Sequence, residues 1–598
     1  MPGIAGIISH DAAAGRRASA GQMVASMLTE KFYKSATQCV PELGVSAGCV
    51  WLEGSNDGIF SDESSAILLV FHGECFIDSE LATGDTIIRL YKAEGLQFPK
   101  RLNGLFCGLL IDRAAGDIIL FNDRYGMQRI YIHSENGQVY FASEAKALLR
   151  VLPGLRQFNL GGLTDFLTFG CILNWKTLFR GIEIMPGGSV WTFGNGKARK
   201  ESYFSAQTWE SQPPLPPAEF QDRFQEIFKH ILPRYFKCQP SQSRVGIALT
   251  GGLDTRMIMA CRPRNNGHST CYTFTGNNGR TLDDKIAARV AAASNFEHSL
   301  LRLDDGFFSN FRYHADMTVY ATDGCAGIFN AHELYLNRKA RDVAPVRLTG
   351  NFGSEILRGV STFKPLPLAP ELLNEDWRPR VNACKASWSH ESANPVTFAA
   401  FKEVPWHLYG NLAAGRSQLI FRSPYLDNDL VALAFQSPEQ CRGSSLPCLN
   451  LVRANDTSLS EIPTDQGFAG RNSGLGFVTR RAFAGVTCKL DYYTTAGLPG
   501  PLSPFNSIFK PVAEKLKIAG MHKFLRYSSW FRGELAPYVR DVLAAPSVRG
   551  TGIWNPEFID RMASDHMSGR RDYSAEINVV MTIEAIERLF FRDRLPGA

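Results

Sequence analysis

The residues best suited to bind a phosphate group lie in one short segment, Leu249–Arg256, which reads LTGGLDTR. An apolar run, Val245–Leu249, leads into two adjacent glycines, and a helical pattern begins at Thr255. Glycines let the backbone approach an anion closely, and the free N–H groups of a first helical turn point toward it. Thr250 and Thr255 add hydroxyl donors, and Asp254 can hold a magnesium ion that bridges phosphates. The segment therefore predicts a nucleotide phosphate site; a glycine turn in an ordinary α/β unit is the alternative.

The segments around this loop alternate between strand and helix. Strands are predicted at Val245–Leu249, Thr270–Thr273, Ser299–Leu303 and Val346–Leu348, and helices at Asp284–Ala293 and His332–Val343. Such alternation predicts parallel strands joined by crossovers. After about residue 400 the pattern is mainly helical and ends in Ala575–Phe591. We therefore expect the loop at the end of a strand in an α/β domain with a helical C-terminal part.

The chain before residue 206 has a different pattern, with short strands separated by turn residues. Strands are predicted at Ala66–Phe71, Leu105–Ile111, Asp117–Asn122 and Gln138–Ala142, and helices around Thr86–Glu94 and Leu163–Phe169. This mixture predicts a layered α+β domain. The proline-rich segment Gln207–Pro217 (QTWESQPPLPP) is interpreted as an extended linker, because prolines disrupt helices and central strands. The predicted division is residues 1–205, a linker at 206–217 and a second domain at 218–598.

Composition and charge predict a folded cytoplasmic protein with no nucleic-acid or membrane partner. Hydrophobic residues make up 44% and charged residues 20% of the chain, as in soluble globular proteins. The net charge of +6 is a weak bias over 598 residues. The apolar runs are shorter than the roughly 18 residues that a membrane span needs, and the N-terminus has no signal-peptide pattern. The 13 cysteines include no C-x-x-C pair, which favours reduced thiols.

Four segments of the C-terminal part resemble motifs of the asparagine synthetase family, in the family's order. Thr250–Thr255 resembles the pyrophosphate loop S-G-G-L-D-S, with both serines replaced by threonine. Cys271–Asp284 resembles the second nucleotide-binding strand and its acidic pair. Leu348–Gly359 (LTGNFGSEILRG) resembles L-S-G-E-G-S-D-E-L-F-G-G, and Arg422–Asp427 (RSPYLD) resembles R-V-P-F-L-D. The resemblance implies an adenine-nucleotide α-hydrolase-like fold that binds ATP and Mg²⁺.

The resemblance also implies which residues form the site. The nucleotide-binding residues that it implies are Leu249, Thr250, Gly251, Gly252, Leu253, Asp254, Thr255, Thr273 and Gly350. It implies Asp254 and Glu355 both as catalytic residues and as ligands of Mg²⁺.

Several positions depart from the family's motifs. Asn351 stands where glutamate is usual and Ser354 where aspartate is usual, which lowers the local acidity. In PTDQGF, Pro463–Phe468, Asp465 replaces the lysine of R-x-K-x-G-F, which stabilises the adenylation transition state in the family. The basic residues that next follow it in the sequence, and therefore the candidates for the missing charge, are Arg471, Arg480 and Arg481.

Residues 1–205 resemble class II glutamine amidotransferase domains, which are αββα sandwiches of the N-terminal-nucleophile type. The matching segments are Met1–Ile8, Arg101–Phe106, Asn122–Ile130, Phe141–Leu148 and Gly181–Gly187. The family uses an N-terminal cysteine as its nucleophile and the asparagine of N-G-E in its oxyanion hole. Here Pro2 and His72 occupy those positions, and no arginine near Val45–Trp51 matches the one that grips glutamine. These losses predict that glutamine is not hydrolysed; new chemistry at Pro2 or His72 is the alternative.

The activity that the resemblance implies is an ATP-dependent, AMP-forming ligase that joins a carboxylate substrate to an amine donor. Relatives with inactive amidotransferase domains include β-lactam-forming synthetases and lasso peptide cyclases. We prefer specialised biosynthesis of that kind, with a precursor peptide as a candidate substrate. The alternatives are an asparagine synthetase that uses ammonia, a catalytically dead scaffold or regulatory subunit, and an RNA-thiolating enzyme, which the absence of a basic patch disfavours. The sequence identifies neither substrate and leaves the oligomeric state open.

Overall fold

The structure is a computed structural model that describes most of the chain. The described residues are 1–9, 15–194, 197–238, 244–263, 269–277, 281–388, 394–468, 475–496, 509, 512, 513, 515, 519–522 and 524–592.

Two antiparallel β-sheets form the N-terminal domain. Their strands are β1 (Gly3–Ser9), β2 (Tyr33–Val40), β3 (Val45–Leu52), β4 (Gly58–Ser61), β5 (Ile67–Ile77), β6 (Glu80–Leu81), β7 (Asn103–Asp112), β8 (Asp117–Asn122), β9 (Tyr131–Glu135), β10 (Gln138–Ala142), β11 (Glu183–Ile184), β12 (Ser189–Gly194) and β13 (Lys197–Ser202). One sheet has the order β11-β9-β10-β1-β3-β2. The other has the order β13-β12-β8-β7-β5-β4, with β6 paired to β5.

The two sheets pack face to face between layers of helices. Along β1, Ile4 and Ile8 pack against the second sheet, whereas Ala5 and Ile7 face the helical side, because side chains alternate along a strand. The helices α1 (Gly15–Met27) and α3 (Ala145–Val151) pack on the first sheet, and α2 (Gly84–Glu94) packs on the second. The helix α4 (Leu160–Phe169) follows. The predicted αββα sandwich is confirmed.

The segment between the domains is less extended than its prolines suggested. Gln207–Glu210 forms a short helix, α5, and the long helix α6 spans Pro217–Tyr235. The prediction of an extended linker is therefore wrong at both ends. The prolines begin only at Pro213, so nothing prevents a helical turn before it, and a proline at the first helical position leaves no hydrogen bond unmade.

A five-stranded parallel sheet forms the centre of the C-terminal domain. Its strands are β14 (Val245–Ala248), β15 (Ser269–Thr275), β16 (His298–Arg302), β17 (Val346–Thr349) and β18 (Ile420–Arg422), in the order β16-β15-β14-β17-β18. The predicted parallel sheet is confirmed, and β18 is an edge strand that sequence reasoning missed. β18 has only three residues, too few to give a periodic signal.

Helices cover this sheet and make up the rest of the domain. They are α7 (Leu253–Ala260), α8 (Leu282–Ala293), α9 (Asp305–Ser309), α10 (Phe311–Ala321), α11 (Ala331–Val343), α12 (Gly353–Arg358), α13 (Trp377–Ser387), α14 (Pro395–Phe398), α15 (Tyr409–Arg416), α16 (Asn428–Phe435), α17 (Leu446–Asn455), α18 (Thr457–Glu461), α19 (Leu475–Ala496), α20 (Tyr527–Arg532), α21 (Ala536–Leu543), α22 (Pro546–Arg549), α23 (Pro556–Met567) and α24 (Ser574–Ile586). Two π-helices occupy Ala399–Leu408 and Glu587–Phe591. None of the helices in the described part of the chain is long and apolar enough to cross a membrane.

The strand order of the parallel sheet reverses between β14 and β17. The chain runs from β14 outward to β15 and β16 on one side, and then returns to β17 and β18 on the other. Open α/β sheets bind ligands in the crevice outside the carboxyl ends of the strands at such a point. The loop Leu249–Gly252 follows β14, and residues 350–352 follow β17. The fold therefore places both motifs at the crevice.

Two of the quoted motifs hold the domains together. The Arg422 guanidinium donates to both carboxylate oxygens of Glu74, each at 2.7 Å, and only 2% of the Arg422 side chain is exposed. Asn103 donates to Asp427 at 3.1 Å and accepts from the Asn428 N–H at 2.9 Å. A buried charge pair and the two hydrogen bonds of the Asn103 side-chain amide fix the orientation of the two domains. The RSPYLD segment therefore has a structural role at the domain boundary.

Candidate active site

Buried leucines hold the loop between β14 and α7 against the core. The polar groups of the loop do not enter the core. Leu249 and Leu253 are buried in the core. Gly252 precedes the first turn of α7, whose amide groups have no side-chain cap. The hydroxyls of Thr250 and Thr255 lie 3.2 Å apart. Uncapped amides at the start of a helix, beside two hydroxyl donors, form a site for an anion.

Asp254 lies in the first turn of α7, and its two carboxylate oxygens have different surroundings. Oδ2 accepts from Ser354 Oγ at 2.8 Å and from the Arg358 guanidinium at 3.1 Å. Oδ1 is buried and has no hydrogen-bond partner among the described residues. Burial raises the pKa of Asp254, and the charge of Arg358 acts in the opposite direction. One oxygen is therefore fixed and the other is left without a partner.

An unpartnered carboxylate oxygen beside a phosphate loop fits a hard cation such as Mg²⁺. No group of three or more His, Cys, Asp or Glu in the described part of the chain converges on a metal position. Mg²⁺ is commonly held by one or two carboxylates and the phosphates of its substrate. Asp254 Oδ1 would thus be a protein ligand, and the nucleotide would complete the set.

The segment after β17 packs directly against the first turn of α7. A Cβ atom on Gly350 would lie 2.8 Å from the Thr255 nitrogen, and one on Gly353 would lie 2.7 Å from the Asp254 Cγ. Both distances are too short for any side chain, so glycine is required at these positions. Phe352, between them, has φ of 75°, in the left-handed region that favours glycine, and the family's motif has glycine there.

A cavity of about 330 Å³ opens between these segments. Its wall includes the predicted residues Thr250, Gly252, Asp254, Thr255, Gly350 and Glu355. Burial, together with the negative charges of Glu403 and Asp254, raises the pKa of Glu355 to about 7. The π-helix residue Leu408 and the α15 residue Asn411 also line this cavity. The cavity therefore extends from the loop after β14 toward a helical wall.

The remaining predicted residues lie behind the loop. Leu249 and Leu253 are core residues, as described above. Thr273 is buried, donates to the Leu249 carbonyl at 2.9 Å and lies 2.8 Å from His298 Nε2. The Gly251 N–H donates to the Asp283 carboxylate, whose pKa burial raises to about 6. These residues shape the loop in this structure, and contact with a nucleotide stays a prediction for them.

Asp465 lies beside the loop, where its sequence position predicted it. Its N–H donates to the Gly251 carbonyl at 3.1 Å, and burial raises the pKa of its carboxyl group. Arg256 holds this segment, because its guanidinium donates to the carbonyls of Ile462 and Pro463. The three arginines proposed from sequence cannot be placed: residue 471 and the side chains of residues 480 and 481 lie outside the described residues.

Sequence reasoning missed Arg358, which contacts Asp254 directly. A signal was present, because Arg358 stands where the quoted family motif has glycine.

The RSPYLD segment also contacts the site. Tyr425 donates to the Asp254 carbonyl at 2.7 Å, and Ser423 donates to the Asn351 carbonyl at 2.7 Å. All four quoted motifs therefore meet at one place.

Comparisons with known proteins agree with this assembly. A family model described as Asparagine synthase matches residues 237–444, and one described as Glutamine amidotransferase domain matches residues 71–204. The chain belongs to the asparagine synthetase-like family. The two matches lie on either side of residues 206–217, and the domain boundaries themselves stay a prediction.

The individual relatives are distant. Asparagine synthetase [glutamine-hydrolyzing] 2 of Bacillus subtilis is 23% identical over 51% of this chain and 44% of its own length. A putative asparagine synthetase of Methanocaldococcus jannaschii is 22% identical over 50% of this chain and 59% of its own length. The chain spans about half the length of the curated relatives it matches. A solved glutamine phosphoribosylpyrophosphate amidotransferase from B. subtilis is 11% identical, with a TM-score of 0.23 over 50% of this chain and 65% of that one.

A second, smaller cavity of about 90 Å³ is lined by residues of both domains. Pro2 directly precedes β1, and Pro2 and His72 both line the cavity. His72 Nδ1 is 3.2 Å from the buried Asp57 carboxylate. Glu74 also lines the cavity, but its carboxylate is bound by Arg422. The structure thus brings Pro2 and His72 together, with no thiol at position 2.

Proposed function

We propose that this protein is an ATP-dependent ligase that activates a carboxylate as an acyl-adenylate for capture by an amine. The observation that carries the proposal is the loop around Asp254, where four separate segments converge and one carboxylate oxygen is left for a cation. The asparagine synthetase-like family is ATP-dependent, which supports ATP as the nucleotide.

The chemistry proceeds in two steps. A substrate carboxylate oxygen attacks the α-phosphorus of ATP, the bond to the bridging oxygen breaks, and pyrophosphate leaves with the electron pair. The amine nitrogen then attacks the activated carbonyl carbon, and AMP leaves with the electrons of the broken C–O bond. Activation is needed because a free carboxylate is a poor electrophile. We assign to Glu355, on the cavity wall, the role of accepting the proton that the amine loses.

Each step has donors or carboxylates suited to it. We assign the binding of the departing pyrophosphate to the uncapped amides of α7 and the Thr250 and Thr255 hydroxyls, since fixed donors stabilise charge as it develops. Mg²⁺ held by Asp254 would neutralise part of the phosphate charge.

The amine is not expected to come from glutamine. Proline at position 2 has no nucleophilic side chain, and the Glu74 carboxylate is held by Arg422. The amine would then be free ammonia, a second substrate or a group of the same molecule. We prefer a substrate larger than aspartate, such as a precursor peptide whose side-chain carboxylate is captured by its own N-terminal amine. Binding energy from remote parts of a large substrate can complete a site in which Asp465 replaces lysine.

A pyrophosphate-release assay tests this proposal. Aspartate with ammonium at saturating ATP and Mg²⁺ should release little pyrophosphate, whereas a candidate peptide should release it and lose one water, as measured by mass spectrometry. Robust turnover of aspartate would support the asparagine synthetase alternative. It would refute the proposal that the substrate is larger than aspartate.

Variants of the protein test the site itself. Asp254→Asn should reduce ATP-to-AMP turnover by at least about a hundredfold, as expected for loss of a charge that stabilises a transition state. The exposed Asp541→Asn, with the same change in charge on α21, should leave turnover unchanged. Full turnover by Asp254→Asn would remove the basis of the proposal.

A further inference from the structure

Arg358 occupies an unusual place for a charged residue at the end of a short helix. It is the last residue of α12, and its guanidinium donates to Asp254 Oδ2 at 3.1 Å and to the Ser354 hydroxyl. Ser354 and Arg358 are four residues apart, so their side chains lie on the same face of the helix. Only 9% of the Arg358 side chain is exposed. A surface cation with no role would remain in water rather than lose its hydration here.

The charges around the loop show what such a cation could do. Asp283 accepts the Gly251 N–H, and Asp465 donates its backbone N–H to the carbonyl of the same glycine. Together with Asp254, three carboxylates therefore surround a loop that is to bind a polyphosphate. Arg256 is committed to backbone carbonyls of the Ile462–Pro463 segment. Among the described residues, Arg358 is the cation with a direct side-chain contact to one of these carboxylates.

The departures from the family's motifs change the charge in opposite directions. Asn351, Ser354 and Arg358 stand where the quoted motif has Glu, Asp and Gly. Each of these exchanges adds one unit of positive charge. Asp465 in place of lysine removes two units. Positive charge has thus been lost from the segment that contains Asp465 and gained on and just before α12.

We propose that Arg358 is the positioning cation of this site and compensates for the lysine that Asp465 replaces. It holds Asp254 by one oxygen, which orients the other toward a bound cation, and its charge offsets the carboxylates around the loop. This inference rests on the proposed function, because it assumes that Mg²⁺ and ATP bind at this loop. It differs from a purely structural role, because a lysine restored on the other segment should substitute for Arg358.

The test is the affinity of the full-length protein for ATP in saturating Mg²⁺, measured by isothermal titration calorimetry. Arg358→Gln should weaken binding by at least about tenfold, as expected for loss of a unit charge near a polyphosphate. Arg358→Lys should weaken it less. In the Arg358→Gln background, Asp465→Lys should restore most of the lost affinity. The exposed Arg540→Gln on α21 has the same change in net charge and should bind as the unaltered protein does.

The possible results separate this inference from the proposed function. Unchanged affinity in Arg358→Gln, or no recovery on adding Asp465→Lys to a folded Arg358→Gln, would overturn the inference. If Arg358→Gln does not fold, the single variant Asp465→Lys decides, since it leaves Arg358 in place and should tighten binding; unchanged or weaker binding would then refute compensation. Absence of ATP binding by the unaltered protein would overturn the proposed function, and this inference with it.

Discussion

Asp283 forms a contact that ATP would have to replace, and this makes Asp283→Asn an informative change. The Asp283 carboxylate accepts the N–H of Gly251, one of the donors expected to bind phosphate. Replacement by asparagine keeps an acceptor oxygen at the same place and removes the negative charge. We therefore expect Asp283→Asn to bind ATP more tightly than the unaltered protein.

The size of the effect follows from charge and exposure. Two unit charges about 5 Å apart interact by about 3 kcal/mol at an effective dielectric constant of about 20. Asp283 is half-buried, so solvent screens part of this interaction, and we expect about 1–2 kcal/mol to remain. That range corresponds to roughly a tenfold gain in affinity.

The assay is calorimetric titration with ATP in saturating Mg²⁺ at pH 8 and again at pH 5.5. The pKa of Asp283 is about 6, so its carboxylate is charged at pH 8 and mostly protonated at pH 5.5. The difference in affinity between the variant and the unaltered protein should therefore shrink as the pH falls, and this comparison cancels the titration of ATP itself. The exposed Asp305→Asn is the matched control and should show no difference at either pH. Weaker binding by Asp283→Asn would refute the reasoning, because it would mean that the carboxylate contacts the nucleotide favourably.

Two further predictions concern the amidotransferase domain and acid stability. The protein should release no glutamate from glutamine above background, and Pro2→Cys alone should not restore release, because His72 still replaces the oxyanion-hole asparagine; measurable glutaminase activity in either would contradict the inactive site. His314 is buried, which lowers its pKa from 6.5 to about 4, so the unfolded chain takes up the proton first as the pH falls. The unfolding free energy of the unaltered protein should therefore fall by up to about 3 kcal/mol between pH 6.5 and pH 4. The unfolding free energy of His314→Gln, measured by urea denaturation, should fall correspondingly less. An equal fall in both proteins would show that His314 is not responsible.

Much of the architecture could be predicted from the sequence because its signals are local. The apolar run Val245–Leu249, the paired glycines and the start of the helix that follows lie within a dozen residues, and periodicity and glycine placement act over that distance. The strands Asp117–Asn122 and Gln138–Ala142 have the bounds predicted for them. The prediction was wrong where one residue type was given too much weight, as for the helix Gln207–Glu210 in the proline-rich segment.

The contacts that determine the chemistry of the site come from parts of the chain that are far apart in sequence. Arg358 and Asp254 are 104 residues apart, and the sequence gives no sign that they pair. Thr273 has its hydroxyl committed to the Leu249 carbonyl, which only the pairing of β15 with β14 decides. By itself, the sequence determined the local elements, the order of the motifs and the loss of a thiol at position 2. The tertiary structure decided which oxygen of Asp254 is held and which cation holds it, because hydrogen bonds and charge interactions depend on distances that only the folded chain sets.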